Sequence, residues 1–250
     1  TVEQAREKIL SRIRSLKAEK VYLEDALNRY LAEDVVSDRD IPSWDNSAMD
    51  GYAVHLSDVE KSGIALDITY EIPAGALPQG EFRKGSAVKI MTGAPVPPGA
   101  DAVVRREDTQ EHDSKVIIKK VPFRHENIRF AGEDIRKDAV ILKKGRLLEA
   151  PQIGLLSSIR KMMVMCAQRP LVAILATGNE VADLDDELTE NMISSSNSFT
   201  LKALVRQAGA MPLYLGIARD TREDLRDKLS MAAKADLILT SGGVSMGDYD

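Results

Sequence analysis

Cysteine is almost missing from this sequence. Cys166 is the only one in 250 residues, so no internal disulfide and no cysteine-based metal cage can form. Such usage suits a reducing compartment, and a cytoplasmic setting is expected. Histidine is scarce as well. His55, His112 and His125 stand without ligand spacing, which disfavours a zinc site. Positive charge is not in excess: 34 Lys and Arg against 39 Asp and Glu leave a net charge of -5. The basic surface of a general nucleic-acid binder is therefore not expected. No apolar run approaches the roughly 20 residues of a membrane span, the longest being residues 162–167. The first eight residues carry charge from the outset and do not read as a secretory leader.

What the sequence has is core-forming material. A hydrophobic fraction of 44% beside 29% charged residues suits a soluble globular chain, large enough for more than one domain. Residues 1–20 read as a helix. Val2, Ala5, Ile9, Ile13 and Leu16 recur at three- and four-residue steps, and Thr1 with Gln4 fits a capping box. That apolar stripe needs a surface to dock on. Residues 21–167 alternate short β-prone runs with Gly and Pro, at 64–70, 87–90, 102–104, 116–121 and 139–142. Residues 143–146 read as a hairpin turn, and a helix opens at Pro151.

From residue 168 the pattern switches to strict alternation. Strands are expected at 171–176, 212–217 and 236–240. Helices are expected at 198–208, capped by Asn197 and Gly209, and at 222–234, opened by Thr221 with Asp224. The order βαβαβ implies a parallel sheet with right-handed crossovers. Ligands of such sheets bind beyond the carboxyl ends of the strands. Three segments converge there: Thr177-Gly178-Asn179-Glu180, Ala218-Arg219-Asp220, and residues 241–250. The third holds Ser241, Gly242, Gly243 and Ser245, whose backbone N–H groups can approach an anion closely. Glu180, Asp220, Asp248 and Asp250 crowd the same edge. Carboxylates beside a phosphate cradle fit a hard cation such as Mg²⁺ between them. A glycine turn alone is ordinary, and Asp220 alone is an ordinary helix-start residue. No Walker-type P-loop is present.

Three irregular segments stand in the β-rich region: residues 41–54, 91–103 and 129–135. They hold the only tryptophan, Trp44, and the acids Asp45, Asp50 and Asp134. Elaborate loops often carry function. Turn chemistry around a small barrel is the equal alternative on residues alone.

The combination is more specific than its parts. Ser47-Ala-Met-Asp-Gly-Tyr-Ala53, Met91-Thr-Gly-Ala-Pro95, Gly99-Ala-Asp-Ala-Val103, Gly132-Glu-Asp-Ile135, Arg169-Pro170, Thr177-Gly-Asn-Glu180, Ser196-Asn197 and Ser241-Gly-Gly-Val-Ser-Met-Gly247 occur in this order. Together they resemble the molybdopterin molybdenumtransferase family, which includes the MoeA proteins and the E domains of gephyrin and its plant counterpart. The glycine-rich end alone would also suit MogA-like adenylyltransferases. The segment around Asp50 separates this family from those.

The resemblance implies molybdenum insertion into adenylylated molybdopterin, with molybdate as co-substrate, Mg²⁺ as helper and AMP released. It implies catalytic roles for Asp50, Thr92, Asp134, Glu180, Asp220 and Asp250, with Glu180, Asp220 and Asp250 on the metal. Substrate binding is expected of Thr177, Gly178, Ser241, Gly242, Gly243 and Ser245. The implied fold is multidomain α/β and β. A three-layer, MogA-like α/β domain with a parallel sheet spans 168–250, and the N-terminal helix of 1–20 packs on it. A β-rich lobe spans 41–137, and 21–40 with 138–167 form a linking subdomain. A homodimer is implied, with a MogA-like adenylyltransferase as a further partner and neither nucleic acid nor membrane. A gephyrin-like scaffold, an adenylyltransferase and a nucleotide pyrophosphatase are the other readings; the acids favour an enzyme. The loop of residues 181–188 and the triplet Ser195-Ser196-Asn197 depart from the family's usual Pro-Gly turn and Asp-Ser-Asn. Family members also continue further, so a C-terminally shortened sequence is expected.

Overall fold

The structure, a computed structural model, describes residues 1–242. The chain forms two compact units: residues 1–33 with 143 onward, and residues 34–142.

The first unit opens with helix α1 (Val2–Leu10). Thr1 Oγ1 accepts the Gln4 N–H at 3.3 Å, and Gln4 Oε1 accepts from the Thr1 amino group at 2.9 Å. This is the capping box the sequence announces. The helix is half the expected length. It stops at Leu10, and strand β1 (Ala18–Tyr22) follows, because residues 18–22 find a strand partner far along the chain.

The second unit contains β2 (Val35–Val36), β3 (Asn46–Ser47), β4 (Gly51–Val54), β5 (Ile64–Ile72), β6 (Ser86–Ile90), β7 (Ala102–Arg105), β8 (Thr109–His112), β9 (Lys115–Ile118), β10 (Ile128–Arg129) and β11 (Val140–Leu142). Six of them form one sheet in the order β7-β4-β6-β5-β9-β8, antiparallel except for β5 with β6. Residues 41–54, read as irregular, contain β4, a strand paired on both sides. All four β4 residues are buried. Tyr52 and Val54 join one core with Val104, Val116 and Ile118. Ala53 joins a second core with Val88, Ile90 and Val103. A strand covered on both faces cannot show the polar–apolar alternation by which strands are recognised.

The chain returns to the first unit with α2 (Ala150–Ser158) and β12 (Met163–Ala167), the antiparallel partner of β1. Residues 143–146 do turn, with Gly145 at φ +82° and Arg146 N–H on Lys143 O at 3.1 Å. They do not make a hairpin: β11 pairs with β2, while Leu147 bridges to Tyr30. Then come β13 (Leu171–Thr177), β14 (Val181–Ala182), β15 (Ile193–Ser194), α3 (Ser196–Gln207), β16 (Met211–Ala218), α4 (Arg222–Met231) and β17 (Leu237–Ser241). The expected α/β unit is present. Its three main strands are parallel in the order β16-β13-β17. Val172 and Ile174 pack with Leu201 and Val205 of α3, whereas Ala173 and Leu175 pack with Leu215 and Ala232. The two faces of β13 are thus both covered, as a buried parallel strand requires. Helix α3 begins two residues earlier than expected. Ser195 is its N-cap, and Asn197 lies inside the first turn.

No residue of α1 is buried. Its apolar side chains Ala5 and Ile9, with Ile13 and Leu16 beyond it, line a cavity of about 1120 Å³ that Val172, Ala208 and Leu237 also border. Among the described residues no helix is long and apolar enough to cross a membrane.

Candidate functional site

The chain leaves β13 in opposite directions for β16 and β17, so the carboxyl end of β13 is a topological switch point. Thr177 ends that strand. Gly178 follows at φ +134°, and a Cβ there would lie 2.8 Å from both carboxylate oxygens of Glu180. The Glu180 side chain therefore folds back over the Gly178 backbone. Asn179 and Asp220 interlock next. The Asn179 N–H donates to Asp220 Oδ2 at 3.2 Å, and the Asp220 N–H donates to Asn179 Oδ1 at 3.3 Å. Arg219 Nη1 adds a bond to Asn179 O at 3.3 Å. The loops after β13 and β16 are thereby fixed to each other.

Ser241 ends β17, and its Oγ accepts from Asn197 Nδ2 at 3.4 Å. Gly242 follows at φ +101°. A Cβ on it would meet Thr177 O at 2.6 Å and Thr177 Oγ1 at 2.7 Å. Only glycine admits this approach and this backbone angle. Thr177, Gly178, Glu180, Asp220, Ser241 and Gly242 are thus brought to one sheet edge. Gly243, Ser245, Asp248 and Asp250 lie outside the described residues. Asn179 and Asn197 stand in the quoted motifs, but the sequence reading gave neither a role in the site. Their amides tie segments together, a role that spacing along the chain does not reveal.

Among the described residues no three His, Cys, Asp or Glu side chains gather into a metal cage. Glu180 and Asp220 nonetheless supply hard oxygen donors at the edge. Mg²⁺ is commonly held by one or two carboxylates together with substrate phosphates, so this donor set fits it.

The second unit carries its own cluster. Asp50 Oδ1 accepts both the N–H and the hydroxyl of Thr92, each at 2.7 Å. These two bonds, the backbone one first, hold the carboxyl below the usual carboxylate range; desolvation opposes them and the Arg106 charge assists. Gly51, the next residue, is obligatory: a Cβ would sit 2.0 Å from Val104 O. Strand β3 joins this loop to a second one. Ser47 O accepts the Gly93 N–H at 2.8 Å, while Asn46 and Ser47 pair with Arg129 and Ile128. Asp134, just beyond, forms an ion pair with Arg129. Asp50 and Thr92 meet directly, and β3 ties their loop to the one that carries Asp134. Arg129 is the partner that reading the sequence missed.

A parallel α/β unit with a glycine-built edge at its switch point, joined to a β-rich unit bearing a braced carboxylate, defines a multidomain ligand-binding protein of mixed α/β and β class. Comparison with known proteins gives the family. The family described as "MoeA N-terminal region (domain I and II)" matches residues 1–159, and "Probable molybdopterin binding domain" matches residues 173–250. The chain belongs to the MoeA family. It is 39% identical over 254 residues to the molybdopterin molybdenumtransferase of Haemophilus influenzae, covering all of this chain and 62% of that protein. A counterpart from Nostoc is 40% identical over 230 residues, covering 90% of this chain and 53% of that protein. The crystal structure of the molybdopterin biosynthesis MoeA protein of Pyrococcus horikoshii superposes with a TM-score of 0.90 at 32% identity, covering 97% of this chain and 66% of that one. The chain thus spans between half and two thirds of the length of these relatives.

Proposed function

We propose that the protein acts in molybdenum cofactor biosynthesis as a molybdopterin molybdenumtransferase. It inserts molybdenum from molybdate into adenylylated molybdopterin and releases AMP. The observation that carries this reading is the approach of Gly242 to Thr177 at the switch point. It lays the turn after β17 against the end of β13, so that both strand ends present backbone at the carboxyl edge, where ligands of parallel sheets bind. The family membership and the names of the relatives support molybdopterin as the substrate, and the resemblance of the sequence motifs implies its adenylylated form.

In this reading Thr177, Gly178, Ser241 and Gly242 hold the phosphate part, with Gly243 and Ser245 from the segment that follows. Glu180 and Asp220, with Asp250, hold Mg²⁺. Mg²⁺ held there would neutralise charge on the phosphoanhydride whose cleavage releases AMP. Asn179 keeps the Asp220 loop in place for this. Asp50, Thr92 and Asp134 act from the β-rich unit, Asp50 being oriented by the two bonds it accepts from Thr92. The protein works as a cytoplasmic homodimer, downstream of an adenylyltransferase of MogA type that makes its substrate.

Calorimetry of AMP with the full-length protein, with and without Mg²⁺, tests the assignment. Binding that needs Mg²⁺ and falls at least tenfold in Asp220→Ala is expected. Metal-independent binding untouched by that change would remove the metal-bridged site.

A further inference from the structure

We propose that Tyr214 is a positioning residue of the sheet-edge site: its hydroxyl latches the loop that follows Glu180 to the start of α3, which carries Asn197. The proposal rests on the reading that Glu180 is a ligand of Mg²⁺ at an adenylate site. It adds what keeps that ligand in place.

The loop needs a latch. Residues 181–192 contain neither proline nor glycine, so no residue there fixes the chain by its own backbone restriction. They carry the acids Asp183, Asp185, Asp186, Glu187 and Glu190, and no lysine or arginine. Like charges repel, which favours an open loop. The two ends of the loop are nevertheless tied together. Strand β14 pairs parallel with β15, Ile193 N–H donates to Glu180 O at 2.8 Å, and Ser195 N–H donates to Ala182 O at 2.9 Å. Glu180 and the N-cap of α3 therefore share one short ladder. Its order fixes Glu180 on one side. On the other it fixes Asn197, whose amide bonds Ser241.

The Tyr214 hydroxyl, from β16, donates to Asp183 Oδ2 at 2.8 Å. Asp183 Oδ1 accepts the Leu184 N–H at 2.9 Å, so the same carboxylate shapes the turn. Ser195 and Ser198 are buried at the start of α3, and their hydroxyls lie 2.7 Å apart. Burial first, then the bond to Asp183, pushes the Tyr214 phenol above its usual value, and hydrogen bonds from Ser198 and Ser195 oppose this. The phenol is thus protonated at neutral pH, donating to Asp183 and accepting from the serines. The ring is held by other means. It packs with Val172, Ile174 and Val205. Lys202 Nζ lies 4.8 Å from its centroid and 4.4 Å from that of Phe199. None of this packing needs the hydroxyl. The hydroxyl serves the loop.

The full-length protein is compared with Tyr214→Phe, which removes the hydroxyl and keeps the ring. Calorimetry of AMP over a series of Mg²⁺ concentrations is one readout, and amide hydrogen exchange without ligand is the other. In Tyr214→Phe the Mg²⁺ needed for half-maximal AMP binding should rise about tenfold, as on loss of a group that orients a metal ligand. At saturating Mg²⁺ the AMP affinity should return to within about twofold of wild type by mass action. The Ile193 and Ser195 N–H groups should exchange about tenfold faster, while those of β13 and β16 keep their protection. Asp183→Ala cuts the latch from the other end and should at least match these changes. Adding Tyr214→Phe to it should change nothing further. Asp183→Ala also carries the test if Tyr214→Phe does not fold. A folded Tyr214→Phe with an unchanged Mg²⁺ requirement overturns the proposal, whatever the exchange shows, and leaves the transferase reading standing. So does unchanged exchange at Ile193 and Ser195, or additive effects of the two substitutions. Faster exchange spread over the whole α/β unit overturns it too, since the hydroxyl would then support the fold at large. Wild-type protein that binds no AMP, or binds it without Mg²⁺, overturns the proposal together with the site on which it rests.

Discussion

Asn179 and Asp220 hold each other through two reciprocal hydrogen bonds, each side chain accepting the other's backbone N–H. The pair spans 41 positions of sequence. It sets the distance between the loops that follow β13 and β16 at the candidate cleft. Shortening either side chain breaks both the brace and the loop it holds. Asn179→Ala, which removes no carboxylate, should therefore weaken AMP binding several-fold by loosening Asp220. Asp220→Asn keeps an acceptor for the Asn179 N–H and should retain loop order while losing the Mg²⁺ dependence. Calorimetry of the two variants in parallel separates positioning from charge. Equal behaviour of the two variants would show that positioning plays no separate part.

Two glycines should respond in opposite directions. Gly242 has φ +101°, and an added Cβ would lie 2.6 Å from the Thr177 carbonyl oxygen. Gly242→Ala should cost about 1–3 kcal/mol in urea unfolding and abolish AMP binding. Gly154 lies inside α2 with open space where its Cβ would go. Gly154→Ala should add about 0.5–1 kcal/mol, because alanine loses less backbone entropy in a helix. Binding should be unaffected by it. The comparison tests whether the Gly242 effect is local crowding.

The Asp50 carboxyl titrates below its usual value because Thr92 donates two bonds to the charged form. The sign follows from linkage. A depressed folded pKa gives stability that is present above the unfolded pKa, about 3.9 for Asp. It is lost as pH falls through the folded pKa. In Thr92→Val the backbone N–H remains and the hydroxyl is gone. The Asp50 pKa should then rise only part of the way back, since the backbone bond is the larger contribution. Carboxyl carbon shifts followed by NMR between neutral pH and about pH 2 measure this. A full return to the usual value would mean that the hydroxyl alone sets the shift.

Tyr52 donates its hydroxyl to Glu111 from β4, one residue beyond Gly51. The phenol is pushed up, first by burial and then by that carboxylate, and Glu111 is held down by the same bond. The Tyr52 ring is 1% exposed. Tyr52→Phe should cost about 1.5–3 kcal/mol, the range for hydrogen bonds to charged groups. Denaturant titration measures it. Wild-type stability in Tyr52→Phe would show that Lys89, 3.3 Å from Glu111, satisfies that carboxylate by itself.

The α/β unit was legible in the sequence because its elements are local. Helix periodicity, the Thr221 cap on Asp224 and three apolar runs specify βαβαβ, and the handedness of crossovers leaves one simple way to join them. The sheet edge that carries Thr177, Glu180, Asp220 and Gly242 followed from the same reasoning. The β-rich unit was legible as β-rich but not in its pairing. Residues 51–54 lie between two cores, so burial on both faces erases the alternation that marks a strand. Residues 18–22 become a strand only because residues 163–167 reach them across more than half the chain. The fine structure of the site was decided at the same level. That Gly242 must be glycine depends on Thr177, 65 positions earlier, and that Asp50 titrates below the usual carboxylate range depends on the loop that presents Thr92. Propensity acts over a few residues, whereas close approach and hydrogen-bond exchange act between segments that only the folded chain brings together.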